Sequence, residues 1–232
     1  MNSHSVYSKI WNGVLLCVVP FCIAFSIFSI AVMCVVYGKG IYYVEIDMLN
    51  IPQMASMTKE AIIQNYDALI TYLSPFYHKP LHFPTLEMSE KGRIHFVDVK
   101  NILVAIQYAM YIGICISFIG GVYLIRKQKE KVLLHAAIFT IIFPIALILP
   151  IAINFEKSFV FFHELLFQND YWLFDPDTDP IIRMLPEQFF MHAACIILLL
   201  ILLGSACCYF LYRFFIKKRG LHIENCNASS EN

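Results

Sequence analysis

Charge is what this chain has least of: charged residues make up 15% of its 232 positions, while hydrophobic ones make up 59%. Soluble domains carry about 25% charged and about 45–50% apolar residues, so an ordinary water-soluble domain is excluded. Neither sign is in excess, with 17 Lys+Arg against 17 Asp+Glu. No basic block lies away from the ends of apolar segments, which leaves no clustered cationic surface for nucleic acid. Catalytic signatures are missing too. There is no G-x-S-x-G elbow, no H-E-x-x-H zinc helix and no glycine-rich phosphate loop, so a nucleotide partner has nothing to hold it.

What is present in excess is hydrophobic length. Four apolar stretches, residues 11–37, 103–125, 132–153 and 190–215, are each long enough to cross a hydrocarbon core about 30 Å thick as a helix. Strands are excluded there, because an unclosed strand leaves its backbone unpaired in lipid and a barrel needs alternating segments. The expected fold is an all-α membrane protein: one integral membrane domain, residues 1–232, built as a four-helix transmembrane bundle. Pro20 and Pro144 fall inside spans and should kink them, and Pro186-Glu187 reads as the start of the last helix.

Orientation follows from the basic residues near span ends. Arg126, Lys127, Lys129 and Lys131 separate spans two and three, and Arg213, Lys217, Lys218 and Arg219 follow span four. Both segments are expected in the cytoplasm, and with an even number of spans both termini are cytoplasmic. Two outer loops result, residues 38–102 and 154–188, holding 14 of the 17 acids and 8 of the 17 bases. The first span is too long for a cleaved signal peptide and lacks its small-residue site. Seven of eight cysteines (Cys17, Cys22, Cys34, Cys115, Cys195, Cys207, Cys208) fall in spans, and Cys226 falls in the inner tail. The outer side therefore has no disulfide, no cysteine nucleophile and no Cys-ligated zinc.

The chemistry must then reside in the outer loops. Residues 41–47 alternate, Tyr42, Val44 and Ile46 against Tyr43, Glu45 and Asp47, which reads as a short half-buried β-strand. Residues 57–72 place Ala61, Ile62, Leu69 and the following Leu73 near one face and read as an interfacial amphipathic helix; residues 77–84, with Pro80 and Pro84, read as loop. His95 and Asp98 are three apart, so the carboxylate could hold one imidazole nitrogen. His163 and Glu164 interrupt an apolar run, an expensive placement unless they face a cavity. Tyr171, Trp172 and Phe174 suit an interfacial aromatic belt. His135 and His192, in or at the ends of spans, are expected to pack or snorkel, and His4, His78, His82 and His222 to be solvated. Asp175, Asp177 and Asp179 resemble the start of a calcium loop, but its sixth position is Pro180 and its twelfth Pro186, so an Asp-capped turn is the better reading. Two outer histidines with carboxylates nearby, above an apolar bundle, suit proton transfer on a lipid whose reacting group lies at the interface.

The residues that carry a resemblance are His95-Phe96-Val97-Asp98-Val99-Lys100, then Phe162-His163-Glu164 to Phe167. They continue in Asn169-Asp170-Tyr171-Trp172-Leu173 to Asp175, and in Asp179-Pro180-Ile181-Ile182-Arg183-Met184-Leu185-Pro186-Glu187. In these strings the chain resembles the lipoprotein intramolecular transacylases (Lit) of Gram-positive bacteria. Length, four spans and the outer position of the motifs agree; the first outer loop up to Glu87 carries nothing that matches, and Phe96 stands where Met is more usual.

The resemblance implies a multi-pass enzyme of the cell membrane with an extracellular active site. It would move the sn-2 acyl chain of a diacylglyceryl lipoprotein to the α-amino group of the same lipidated cysteine, giving the lyso-form. It implies His95 and His163 as the catalytic pair. On the residues themselves His95, oriented by Asp98, is the preferred base, Glu164, Asp170 and Arg183 are candidates to support the pair, no cofactor is expected, and a metal held by the two histidines and nearby acids is a minor variant. The substrate's own amine is the nucleophile, so the lack of an outer cysteine is consistent. Two rivals stay open on the residues alone: a membrane esterase or acyltransferase acting on another lipid, and a non-enzymatic four-span assembly or sensor protein.

Overall fold

The computed structural model describes the backbone of residues 3–230, and the side chains of all of these except 3–6, 8, 9, 143, 146, 147 and 222–230. His4, His222 and Cys226 thus fall outside the described side chains. In order, the elements are α1 (Ser3–Tyr37), α2 (Lys39–Met48), α3 (Ile51–Ala55), α4 (Lys59–Leu73), α5 (Glu90–Arg126), α6 (Lys131–Ile153), α7 (Phe155–Leu166), α8 (Ile181–Met184) and α9 (Glu187–Ser230). The protein is all-helical among the described residues. Three stretches are long and apolar enough to cross a membrane: Ile10–Tyr37, Glu90–Arg126 and Glu187–Leu221; within α6, Lys131–Ile142 is a shorter apolar stretch.

Two compact units divide the chain. The first comprises residues up to Ile30, Met110–Ala146 and the chain from Leu198. Its core is Val19, Leu124, Val132 and Leu133, and helices approach closely there through small residues. A Cβ on Gly120 would be driven into Val19 Cγ2, and Ser205 Oγ donates to Ala137 O at 2.9 Å. Small residues and hydroxyls of this kind bring helices together in lipid, where the hydrophobic effect between them is absent.

The second unit, Ala31–Ala109 and Leu147–Ile197, holds both histidines of interest. Residues 41–47, expected as a strand, are helical instead. The buried side chains of α2 are Tyr42, Glu45 and Ile46, a one-face helical spacing that the alternation concealed. Helix α4 is started by Thr58, whose side chain accepts from Ala61 N at 3.2 Å. It buries Ile62, Asn65, Tyr66, Leu69, Ile70 and Leu73, the amphipathic pattern expected of it. Tyr42 stacks on Tyr66 at 3.8 Å and meets Phe189 edge-on at 5.1 Å. Its hydroxyl donates to Met184 O at 2.5 Å. A buried tyrosine must find such a partner, and this one ties α2 to α8. Residues 74–89 are irregular, held by Asn65, which donates to Thr85 Oγ1 at 2.6 Å and accepts from Thr85 N at 3.2 Å.

Candidate active site

Helix α5 begins under tight control. Ser89 Oγ accepts from Gly92 N at 3.0 Å, and Ser89 N donates to Asp179 Oδ1 at 2.8 Å. Asp179 is 3% exposed. It closes the turn begun by Asp175, whose Oδ1 accepts from Asp177 N at 2.9 Å. The acidic run is thus a turn that reaches across 90 residues to cap α5. A Cβ on Gly92 would collide with Asp179 Oδ1, so glycine is required at this close approach.

At about 1.5 Å per residue the 37 residues of α5 span about 55 Å, well beyond the hydrocarbon core of about 30 Å. Its charged first turns, with Glu90, Lys91, Arg93, Asp98 and Lys100, therefore extend outside the spanning segment. His95 is there, 7% exposed. Its ring meets Phe167 at 4.8 Å, Phe174 at 5.3 Å and Phe96 at 5.7 Å between centroids. Its Nδ1 is buried without a hydrogen-bond partner. An unsatisfied buried polar atom costs about 1–3 kcal/mol, a cost that a substrate group able to bond it would remove.

Helix α7 is opened by Asn154, whose side chain accepts from Lys157 N at 2.8 Å, and it carries His163. The two histidine rings, 68 residues apart in sequence, stand 6.2 Å apart between centroids. His163 Nδ1 lies 2.8 Å from Phe159 O. A carbonyl only accepts, so Nδ1 carries the proton and the neutral ring presents Nε2 as its acceptor. Phe159 at 4.1 Å, Trp172 at 4.8 Å and Phe167 at 5.7 Å wall the ring. These apolar walls desolvate both histidines. Burial pushes His95 down to about 4, the nearby His163 pushing the same way and Asp98 opposing. Burial also lowers His163, the Phe159 carbonyl opposing. Both rings are therefore neutral at pH 7.

The expected supporting residues are placed differently from one another. Asp98 does not hold His95: it accepts from Asn169 Nδ2 at 3.3 Å and acts on His95 through its charge alone. Glu164 and Asp170 are exposed. Arg183, also exposed, pairs with Asp177 at 3.0 Å, next to the capping turn. What single residues could not reveal is the aromatic enclosure by Phe159, Phe167, Trp172 and Phe174, though each lies in or beside the strings around the histidines. Nor was a second carboxylate–histidine pair legible. Buried Glu45, 6% exposed, accepts from His192 Nδ1 with both oxygens at 2.9 and 3.0 Å, so His192 is paired where packing or snorkelling was expected. Among the described residues no group of three His, Cys, Asp or Glu could hold a metal ion.

Bilayer-length apolar helices and a pair of enclosed histidines fit a membrane-integral enzyme. The chain belongs to the lipoprotein intramolecular transacylase family, a family of transferases: the family model "Lipoprotein intramolecular transacylase Lit" matches residues 17–190. A solved structure of the membrane integral lipoprotein intramolecular transacylase Lit from Bacillus cereus is 66% identical. It covers 92% of this chain and 99% of its own, with a TM-score of 0.90. A second structure of that protein, carrying a histidine-to-arginine substitution, is 64% identical and covers 94% and 98%, with a TM-score of 0.86. A third, with a histidine-to-alanine substitution, is 64% identical and covers 94% and 100%, again at 0.86. No curated protein matches the chain.

Proposed function

We propose that the protein transfers an acyl chain within a diacylglyceryl lipoprotein, from the sn-2 glyceryl oxygen to the α-amino group of the lipidated cysteine. In this reading α1, α5, α6 and α9 form a four-helix transmembrane bundle in one integral membrane domain, residues 1–232, in the cell membrane of a Gram-positive bacterium. Both termini face the cytoplasm, and residues 38–102 and 154–188 form the extracellular side. The Lys and Arg clustered at 126–131 and 213–219 support this orientation.

The reaction needs a base, an acid and a donor to the carbonyl oxygen. The observation that carries the reading is two enclosed histidines side by side: His163, with its proton on Nδ1 and Nε2 left as acceptor, and His95, whose buried Nδ1 has no partner, 6.2 Å apart between rings. The substrate's α-amino group, with a pKa of about 7.7–8.0, is mostly an ammonium at neutral pH. It loses one proton to solvent as it enters, and its nitrogen lone pair then attacks the ester carbonyl carbon. The new C–N bond forms, the carbonyl electrons move onto oxygen, and His95 donates a hydrogen bond to that oxygen. His163 Nε2 takes the remaining surplus proton from nitrogen. The tetrahedral centre collapses, the C–O bond to glycerol breaks, and His163 returns the proton to the departing oxygen. An ester becomes an amide, a downhill exchange that requires no nucleotide. Both reacting groups hang from one cysteine, and effective molarities of about 10⁵–10⁸ M are within reach of such arrangements.

Mass spectrometry of the N-terminal lipopeptide, from a host that makes diacylglyceryl lipoproteins, tests this. The expected product is an N-acyl, S-monoacylglyceryl cysteine, present with the intact protein and lost with His163→Ala or His95→Ala. A persisting diacylglyceryl form alongside confirmed membrane expression of the intact protein would refute it.

A further inference from the structure

Within the first compact unit, α6 and α9 leave a groove of about 330 Å³ between them. Its walls are Leu134, Ala137 and Ile141 of α6 and Leu202, Ala206 and Tyr209 of α9. The small side chains of Ala137 and Ala206 open it. Ser205 in its floor directs its hydroxyl to Ala137 O at 2.9 Å, so the walls select an apolar occupant. One end of the groove meets positive charge. Arg213 follows Tyr209 by one turn of α9, is exposed, and donates to Tyr209 Oη at 3.1 Å. No carboxylate pairs with Arg213 among the described residues, whereas Arg219, further along, is taken by Glu130 at 2.9 Å. At the same end Lys131 starts α6, three residues before Leu134. Leu202 lies 11 residues before Arg213, about 16 Å at about 1.5 Å per residue, which is close to one leaflet's half of a hydrocarbon core about 30 Å thick.

We propose that this groove binds one acyl chain of an anionic phospholipid whose phosphate is held by Arg213. Guanidinium and phosphate match as a charged, two-pronged pair, and basic sites between helices at the positive end of a membrane protein recognise anionic headgroups. In the orientation proposed above, the lipid belongs to the cytoplasmic leaflet. A helix is too large an occupant: about 16 Å of a helix about 10–12 Å across fills about 1,500 Å³, several times the space available. A second copy of this chain could rest on the rim without filling the groove. The site goes beyond the transacylase reading and does not depend on it, since α6 and α9 carry neither His95 nor His163. A lipid that binds the folded seam and not the unfolded chain stabilises the fold by mass action.

The test is thermal unfolding of the full-length protein in detergent micelles titrated with dioleoyl phosphatidylglycerol or dioleoyl phosphatidylcholine. Phosphatidylglycerol should raise the melting temperature at about 10-fold lower concentration than phosphatidylcholine, the size of one charged contact to phosphate. That difference should vanish in Arg213→Gln, whose side chain is exposed and holds no core contact. Ala206→Phe, which fills the groove, should lose the rise altogether when compared with itself without lipid. Glycerol phosphate, the headgroup without chains, should give no shift. Equal responses of the unsubstituted protein to both lipids, or a preference for phosphatidylglycerol that survives in Arg213→Gln, would overturn the headgroup assignment. A full response in Ala206→Phe would overturn the place of the chain, and a full shift with glycerol phosphate would overturn a lipid as the ligand. A stable dimer in native mass spectrometry that Ala206→Phe abolishes would assign the groove to a second copy and overturn the proposal.

Discussion

Acidification should weaken the fold in a window that belongs to the buried histidines. His95 has its usual value of 6.5 when unfolded and about 4 when folded. With the folded value depressed, the unfolded state binds the proton first as pH falls, so stability is at its full level above pH 6.5 and declines toward pH 4. The difference corresponds to about 3 kcal/mol. His163, also depressed by burial, adds to the slope with the same sign. Asp67, whose carboxyl burial raises but Tyr43 and Lys39 together hold lower still, loses its contribution mainly below its unfolded value near 3.8, and exposed Glu90, held low by Arg93, from about 4.5, so both act only at the acid edge of this window. For a chain of this size 1 kcal/mol moves the melting temperature by about 2–4 °C, so His95 alone should lower it by about 6–12 °C between pH 7 and pH 4. The assay is thermal unfolding of the detergent-solubilised protein across that range, compared with His95→Gln, whose side chain cannot take up the proton. The variant should show a distinctly shallower decline. Parallel curves for the two proteins would refute the claim that His95 is desolvated in the fold.

Gly92→Ala should lower stability by about 1–3 kcal/mol, because the methyl group displaces the Asp179 carboxylate from Ser89 N. A lowered melting temperature with a matching loss of acyl transfer would show that this cap also positions His95 one turn later. Glu45→Ala should destabilise by about 1–3 kcal/mol through the orphaned His192 nitrogen, whereas Glu45→Gln, which keeps an acceptor, should lose less; equal melting temperatures for all three proteins would contradict this. Trp172→Ala removes one wall of His163, and the acyl-transfer rate should fall about 10- to 100-fold at saturating substrate, as expected when a proton-transfer group is misplaced. An unchanged rate in single-turnover assays would remove Trp172 from the site.

Long-range bonds mark where a sequence reading stops. The apolar spans and the amphipathic α4 are local patterns, so the arrangement of Ile62, Leu69 and Leu73 could be read directly. Residues 41–47 could not. Tyr42, Glu45 and Ile46 satisfy a helical spacing, while Tyr42, Val44 and Ile46 satisfy an alternating one, and only burial tells which set is inside: Val44 is 58% exposed. The partner of His95 was misread for a related reason. Asp98 lies three positions on, the neighbourly spacing of a helix, yet its carboxylate turns to Asn169, 71 residues away. His192 and Glu45, 147 residues apart, could be joined only by the fold.

The loss of that expected Asp98–His95 bond makes chemical sense. A carboxylate bonded directly to His95 would hold the ring's proton, raise its basicity and occupy the nitrogen that the structure leaves unpartnered. Such a histidine would be a better base but a poorer donor to a carbonyl oxygen. With Asp98 engaged by Asn169 and with apolar rings around it, His95 stays neutral and keeps a free Nδ1. His163 makes the complementary choice, since giving its Nδ1 proton to a backbone carbonyl leaves Nε2 as the acceptor. Two residues of one type thus acquire different capacities from their surroundings. A reaction whose nucleophile and electrophile both arrive on the substrate asks for little beyond that difference, held in a dry, aromatic-walled space at a cost in acid stability.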